Sequence, residues 1–95
     1  MARPPYDIVI RGTAPGTHGL VIVEERAWDE TVRSETRQRV EACVRLISEG
    51  GIPGASSIRE VMVMYSRRPN RETNGFFESL RTLLSKNGIE FSARK

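Results

Sequence analysis

Cys43 is the only cysteine among 95 residues, so neither an internal disulfide nor a cysteine-rich zinc site can form. A reducing compartment fits such usage. Histidine also occurs once, as His18, and general-base work by a lone imidazole needs an orienting carboxylate that chain order does not identify. No stretch approaches the roughly 18 apolar residues of a membrane span. The N-terminus carries neither a basic n-region nor an apolar h-region, so neither secretion nor membrane insertion is expected, and a cytoplasmic location is the expectation. Internal repeats, low-complexity tracts and linkers are absent. Aromatic residues make up only 6% of the chain, which leaves few platforms for stacking nucleic-acid bases.

What remains is one small domain spanning 1–95, with 38% hydrophobic residues and a single core. A domain of this size buries about 60 to 65% of the surface its unfolded chain exposes, so its stability is modest and self-association is useful to it. The net charge of +3 is unevenly spread. Residues 1–58 hold 7 basic and 8 acidic side chains, whereas residues 59–95 hold 8 and 4, so the positive field belongs to the C-terminal part. Thirteen of the 15 basic residues are arginine. Arginine offers planar, bidentate bonding to phosphate and carboxylate, although a GC-rich coding bias enriches it equally well.

The periodicities predict the element order ββαβαβ. Tyr6 to Arg11 alternates, with Tyr6, Ile8 and Ile10 on one face, as in a partly exposed edge strand. Leu20 to Val23 is continuously apolar, the pattern of a central strand. Between them the Gly- and Pro-rich Gly12 to Gly19 forms a long hairpin tip. Trp28, Val32, Thr36, Val40, Cys43, Val44 and Ile47 step by three and four along a helix over 29–49. Asp29 is placed to cap it, Gly50 and Gly51 to end it, and Glu35–Arg39 and Glu41–Arg45 to pair along its solvated side. Glu60 to Tyr65 reads as a second central strand. A second helix runs from an Asn74 cap to about Asn87, with Phe76, Leu80, Leu83 and Leu84 inward, and Ile89 to Ser92 is a last short strand. Right-handed crossovers make strands two, three and four parallel and the first antiparallel to its neighbour. The expected architecture is therefore an α/β two-layer sandwich: a four-stranded mixed sheet with two helices on one face.

That architecture leaves apolar surface uncovered. Strands two and three are apolar on both alternations, through Leu20 and Ile22 against Val21 and Val23, and through Val61, Val63 and Tyr65 against Met62 and Met64. Either the N-terminal arm or the hairpin tip folds over the second face, or that face binds another protein or a second copy. In the latter case Met62 and Met64 are adaptable interface residues.

Catalytic chemistry is poorly supported. The glycine-rich segment 12–19 joins strand to strand, without the helix or the Gly-Lys-Ser/Thr ending of a phosphate-binding loop. Cys43 falls within the apolar stripe, where thiols are inert. Glu24 and Glu25 are adjacent in a strand and point to opposite faces, so paired metal ligands are not formed. No cofactor is implied. The distinctive segment is Arg67-Arg68-Pro69-Asn70-Arg71, at the carboxyl end of a central parallel strand, where α/β sheets bind ligands. Arg67, Arg68 and Arg71, extended by Arg81, Lys86, Arg94 and Lys95, suit phosphates or an acidic protein surface. The strand order and the closing Leu83-Leu84-Ser85-Lys86-Asn87-Gly88-Ile89 loosely resemble the N-terminal domain of bacterial septum-site inhibitors, a pattern shared with other small α/β domains that carries no residue over. The sequence therefore reads as a small non-enzymatic interaction or regulatory protein that docks on a protein partner, as a homodimer or otherwise, through an exposed sheet face and a basic loop. The alternative is an RNA- or DNA-binding module that contacts phosphates through the same loop.

Overall fold

A computed structural model describes residues 3–95. Two strands, β1 (Ile8–Arg11) and β2 (His18–Glu24), are followed by α1 (Glu30–Glu49). A 3-10 turn (Ala55–Ser57) then leads into β3 (Ile58–Tyr65), α2 (Arg71–Ser85) and β4 (Glu90–Arg94). The sheet order is β1-β2-β3-β4; β1 is antiparallel to β2, and β2, β3 and β4 run parallel. Both helices lie on one face, as the apolar periodicity requires. Leu20 and Ile22 of β2, Val61 and Val63 of β3 and Phe91 of β4 meet Val32, Val40 and Cys43 of α1 and Phe77, Leu80 and Leu84 of α2 in one buried cluster.

α1 forms where the stripe predicts it. Asp29 Oδ1 accepts from the Val32 amide at 2.8 Å, and Gly50 ends the helix in the left-handed region at φ 68°, which an L side chain would strain. Its surface ion pairs differ from expectation. Glu35 bonds Arg26 at 2.7 Å and Arg39 bonds Asp7 at 2.9 Å, because the chain before β1 and after β2 brings stronger partners than the next helical turn does.

Several boundaries are corrected: β2 begins at His18, inside the expected hairpin tip, β3 begins at Ile58 rather than Glu60, and β4 runs Glu90–Arg94 rather than Ile89 to Ser92. α2 begins at Arg71, and its cap is Asn70, not Asn74: Asn70 Oδ1 accepts from both the amide and the hydroxyl of Thr73, at 2.8 and 2.6 Å. The helix ends at Ser85 rather than Asn87. Tyr6 does not share the face of Ile8 but packs against the core. The alternation breaks at Asp7, whose amide donates to the Val21 carbonyl while its carboxylate accepts from the Val23 amide and from Arg39. The strand consequently starts only at Ile8.

Candidate docking surfaces

The uncovered side of the sheet is built by register. Ile8 pairs with Val21, Val21 with Met62 and Met62 with Ser92, forming one transverse row. Val23, Met64 and Arg94 form the next, and Ile10, Gly19, Glu60 and Glu90 the row on the other side. Residues one position along each strand face the helices instead. Val21, in the middle of this face, is only 1% exposed, and Thr13, Ala14 and Thr17 of the hairpin tip border its acidic end. Arg39 Nε donates to the Pro5 carbonyl at 2.9 Å, which holds the N-terminal segment beside α1. The tip turns back on itself through the Gly12 amide and the Thr17 carbonyl. Ile8 is 48% exposed, Met64 38% and Val23 36%, so large apolar side chains face solvent here. Met62 is half-buried between them.

One end of this face is acidic. Glu60 is only 8% exposed, and its side chain lies across Gly19: a Cβ at Gly19 would stand 2.6 Å from Glu60 Cγ. The glycine is what lets the carboxylate lie flat on the sheet. Neither Glu60 nor the exposed Glu90 has an ion-pair partner among the described residues. With Thr13, Ala14, Thr17 and Arg59 they wall an open recess of about 310 Å³. The Arg59 guanidinium is already engaged by the Ser56 and Ile58 carbonyls.

Glu24, on the helix side of β2, is the contrasting carboxylate. Only 4% exposed, it is gripped by Arg26 through Nε at 3.0 Å, Nη2 at 2.9 Å and the backbone amide at 2.9 Å. Desolvation opposes its ionisation, but these bonds from Arg26 outweigh it and hold the carboxyl below its ordinary range. Asp7 is held low in the same way, burial being overcome by the Val23 amide and by Arg39. Together these groups line a cleft of about 800 Å³ between the N-terminal segment and α1. Within it Arg39 engages Asp7 and Arg26 engages both Glu24 and Glu35, which braces the strands against α1.

The arginine segment occupies the carboxyl end of β3. Trp28 Nε1 donates to the Arg67 carbonyl at 3.1 Å, anchoring the segment to a cluster in which Trp28 lies edge-on to Tyr65 and Phe77. Arg67 and Arg68 are exposed, and Arg71 projects from the first turn of α2. Two side chains that sequence reasoning did not single out join them along the helix layer: Arg33 reaches Thr73 Oγ1 at 3.5 Å, and Arg37 donates to Ser79 Oγ at 2.7 Å while lying over the Phe76 ring. None of these five arginines has a carboxylate partner among the described residues. The i,i+4 spacing of Arg33 and Arg37 marked one helical edge, but nothing local said that α2 would lie against it. Arg81 is separate: it pairs with Glu78 and sits over Phe91. Lys86 caps the far end of α2, about 22 Å along the helix from Arg71 at 1.5 Å per residue. Arg94 lies on the open face of β4, opposite in register to Met64.

No group of three or more His, Cys, Asp or Glu that could hold a metal ion occurs among the described residues. Burial pushes the Cys43 thiol up to about 12, which leaves it protonated and unreactive at neutral pH. Among the described residues no helix is long and apolar enough to cross a membrane. No protein-family model, curated protein or solved structure matches the chain.

Proposed function

We propose that this protein is a small non-enzymatic docking module whose open sheet face binds a protein partner, with the arginine segment as a second, charged contact. The observation that carries this reading is the set of exposed apolar side chains Ile8, Val23 and Met64, with Met62 half-buried among them, on the sheet face turned away from both helices. A contiguous apolar patch rimmed by charge is what association surfaces look like. The lone, inert thiol suits action in the cytoplasm.

A second reading rests on the five unpaired arginines. Arg33, Arg37, Arg67, Arg68 and Arg71 suit the phosphates of RNA or DNA, and such binding would be dominated by backbone contacts with steep salt dependence. Affinity capture from the native host, with and without nuclease, separates the two. A bound protein that survives nuclease and is lost with Met64→Asp supports the docking reading. Nuclease-sensitive capture lost with Arg67, Arg68 and Arg71 changed to Ala supports the second. Capture indifferent to both variants overturns both.

A further inference from the structure

The charges of the open face are arranged so that the face complements itself. Within the strands its charged side chains are Glu60 and Glu90 at one end and Arg94 at the other, with Ile8, Val21 and Met62 in the row between. The Glu60–Glu90 row and the Arg94 row are separated by four residues, about 13 Å at 3.3 Å per residue. Two two-fold axes in the plane of the sheet would stack two such faces. An axis along the strands sets each acidic row against the acidic row of the other copy and puts Glu60 over Gly19 and its overlying carboxylate. An axis across the strands instead sets each acidic row against the Arg94 row of the other copy, while the middle apolar rows meet each other.

From this geometry, and resting on the docking reading above, we infer that the open face is occupied by a second copy of this chain, related by a two-fold axis across the strands. Arg94 of each copy enters the Glu60–Glu90 recess of the other. Three observations support a second copy over an unrelated partner. The first is the pair Glu60 and Glu90, directly opposite in register on this face and without a cation among the described residues. Like charges placed opposite one another are destabilising unless a cation joins them. The second is Arg94, which makes no ion pair among the described residues and stands at the end of the face that this axis brings to Glu90. The third is size. The molecule measures 34 × 31 × 21 Å, so its broad side is large enough to hold the roughly 800 Å² per partner of a standard interface. Two sheets stacked this way form a sandwich about 10 Å apart with strands crossing near 30°, an ordinary packing for β-sheets.

The test needs no partner: the purified full chain is followed by analytical ultracentrifugation and light scattering from about 1 to 200 µM, the range of modest interfaces, with circular dichroism confirming that each variant folds. Glu90→Arg and Arg94→Glu are both at exposed positions. Each alone should raise the dimer dissociation constant about tenfold or more, because one substitution breaks two symmetric pairs. The double variant Glu90→Arg with Arg94→Glu should restore association, and raising salt should weaken the parent dimer. Three results overturn the inference. A strict monomer does so while leaving the docking reading standing, provided that Met64→Asp still abolishes capture of a different protein. A dimer lost in Met64→Asp but unmoved by the charge reversals overturns the two-fold arrangement alone. A dimer that survives Met64→Asp forms through another surface and overturns the inference, while the docking reading stands or falls on whether Met64→Asp abolishes capture of a different protein.

Discussion

The two faces of the sheet are made by alternate residues of the same strands, yet they meet opposite fates. On the helix side, Leu20, Ile22, Val61 and Val63 are sealed by α1 and α2. On the other side Val23 and Met64, their sequence neighbours, remain more than a third exposed. Composition does not separate these rows, since both are aliphatic. The difference lies in what the rest of the chain places over them, and it divides residues that hold the fold together from residues free to bind something else.

The sharpest way to break this comparison is to truncate one large side chain in each environment. Leu80→Ala, in the helix layer beneath the sheet, should cost about 2 to 5 kcal/mol in urea unfolding, through lost burial and the cavity left behind. Met64→Ala should change the unfolding free energy of the monomer by less than about 1 kcal/mol, because the side chain is already partly in water. Equal losses would mean that the open face is covered in solution.

The two buried carboxylates sharpen it at a smaller scale. Glu24→Gln discards the grip of Arg26, which is partly screened by solvent, and should destabilise the chain by about 1 kcal/mol. Glu60→Gln removes an unpaired charge and should leave the monomer unchanged or slightly more stable in the same unfolding assay. Acid titration reads the same contrast without mutation. Asp7 and Glu24 have folded pKa values below their ordinary ones, so their contribution is present above the unfolded values. It is lost as pH falls from about 4.5, the upper ordinary carboxylate value, through the depressed folded values. Stability measured between pH 7 and 2 should decline over that window, and Glu24→Gln should flatten the decline.

Smallest of all should be the effect of the arginine segment on folding. With Arg67, Arg68 and Arg71 changed together to Ala, stability should shift by only about 0.5 kcal/mol per site. Binding is where the triple variant should tell. If phosphates are the ligand, the slope of log affinity against log salt should flatten by about 2 to 3. A loss of binding with the slope unchanged points to an acidic protein surface instead. Unchanged affinity removes the segment from both readings.

Much of the architecture was legible because it is local. The three- and four-residue steps from Trp28 to Ile47 located α1, and Asp29 and Gly50 marked its ends. The double alternation of β2 and β3 showed in advance that the sheet would have two apolar faces. Errors fell where a local signal had competitors. Asn70 and Asn74 are both cap residues, and only the Thr73 amide and hydroxyl, turned toward Asn70, decided between them. Tyr6 continued an alternation that Asp7 interrupts by bonding across to β2. At the candidate surfaces the sequence marked Arg67, Arg68, Arg71, Met62 and Met64, grouped Lys86 with them although it caps the opposite end of α2, and missed Arg33, Arg37 and Glu60.

By itself, then, the sequence determined the elements, their order and the presence of more apolar strand surface than two helices can cover, since each follows from the repeat of side chains within one segment. Tertiary structure alone decided which alternate row the helices would take, that Glu24 would be clasped by Arg26 while Glu60 lay unpaired over Gly19, and that Arg33 and Arg37 would border α2. These outcomes depend on how segments distant in the chain are laid against one another. Periodicity specifies that a strand has two faces; only the path of the crossovers determines which of them is left open.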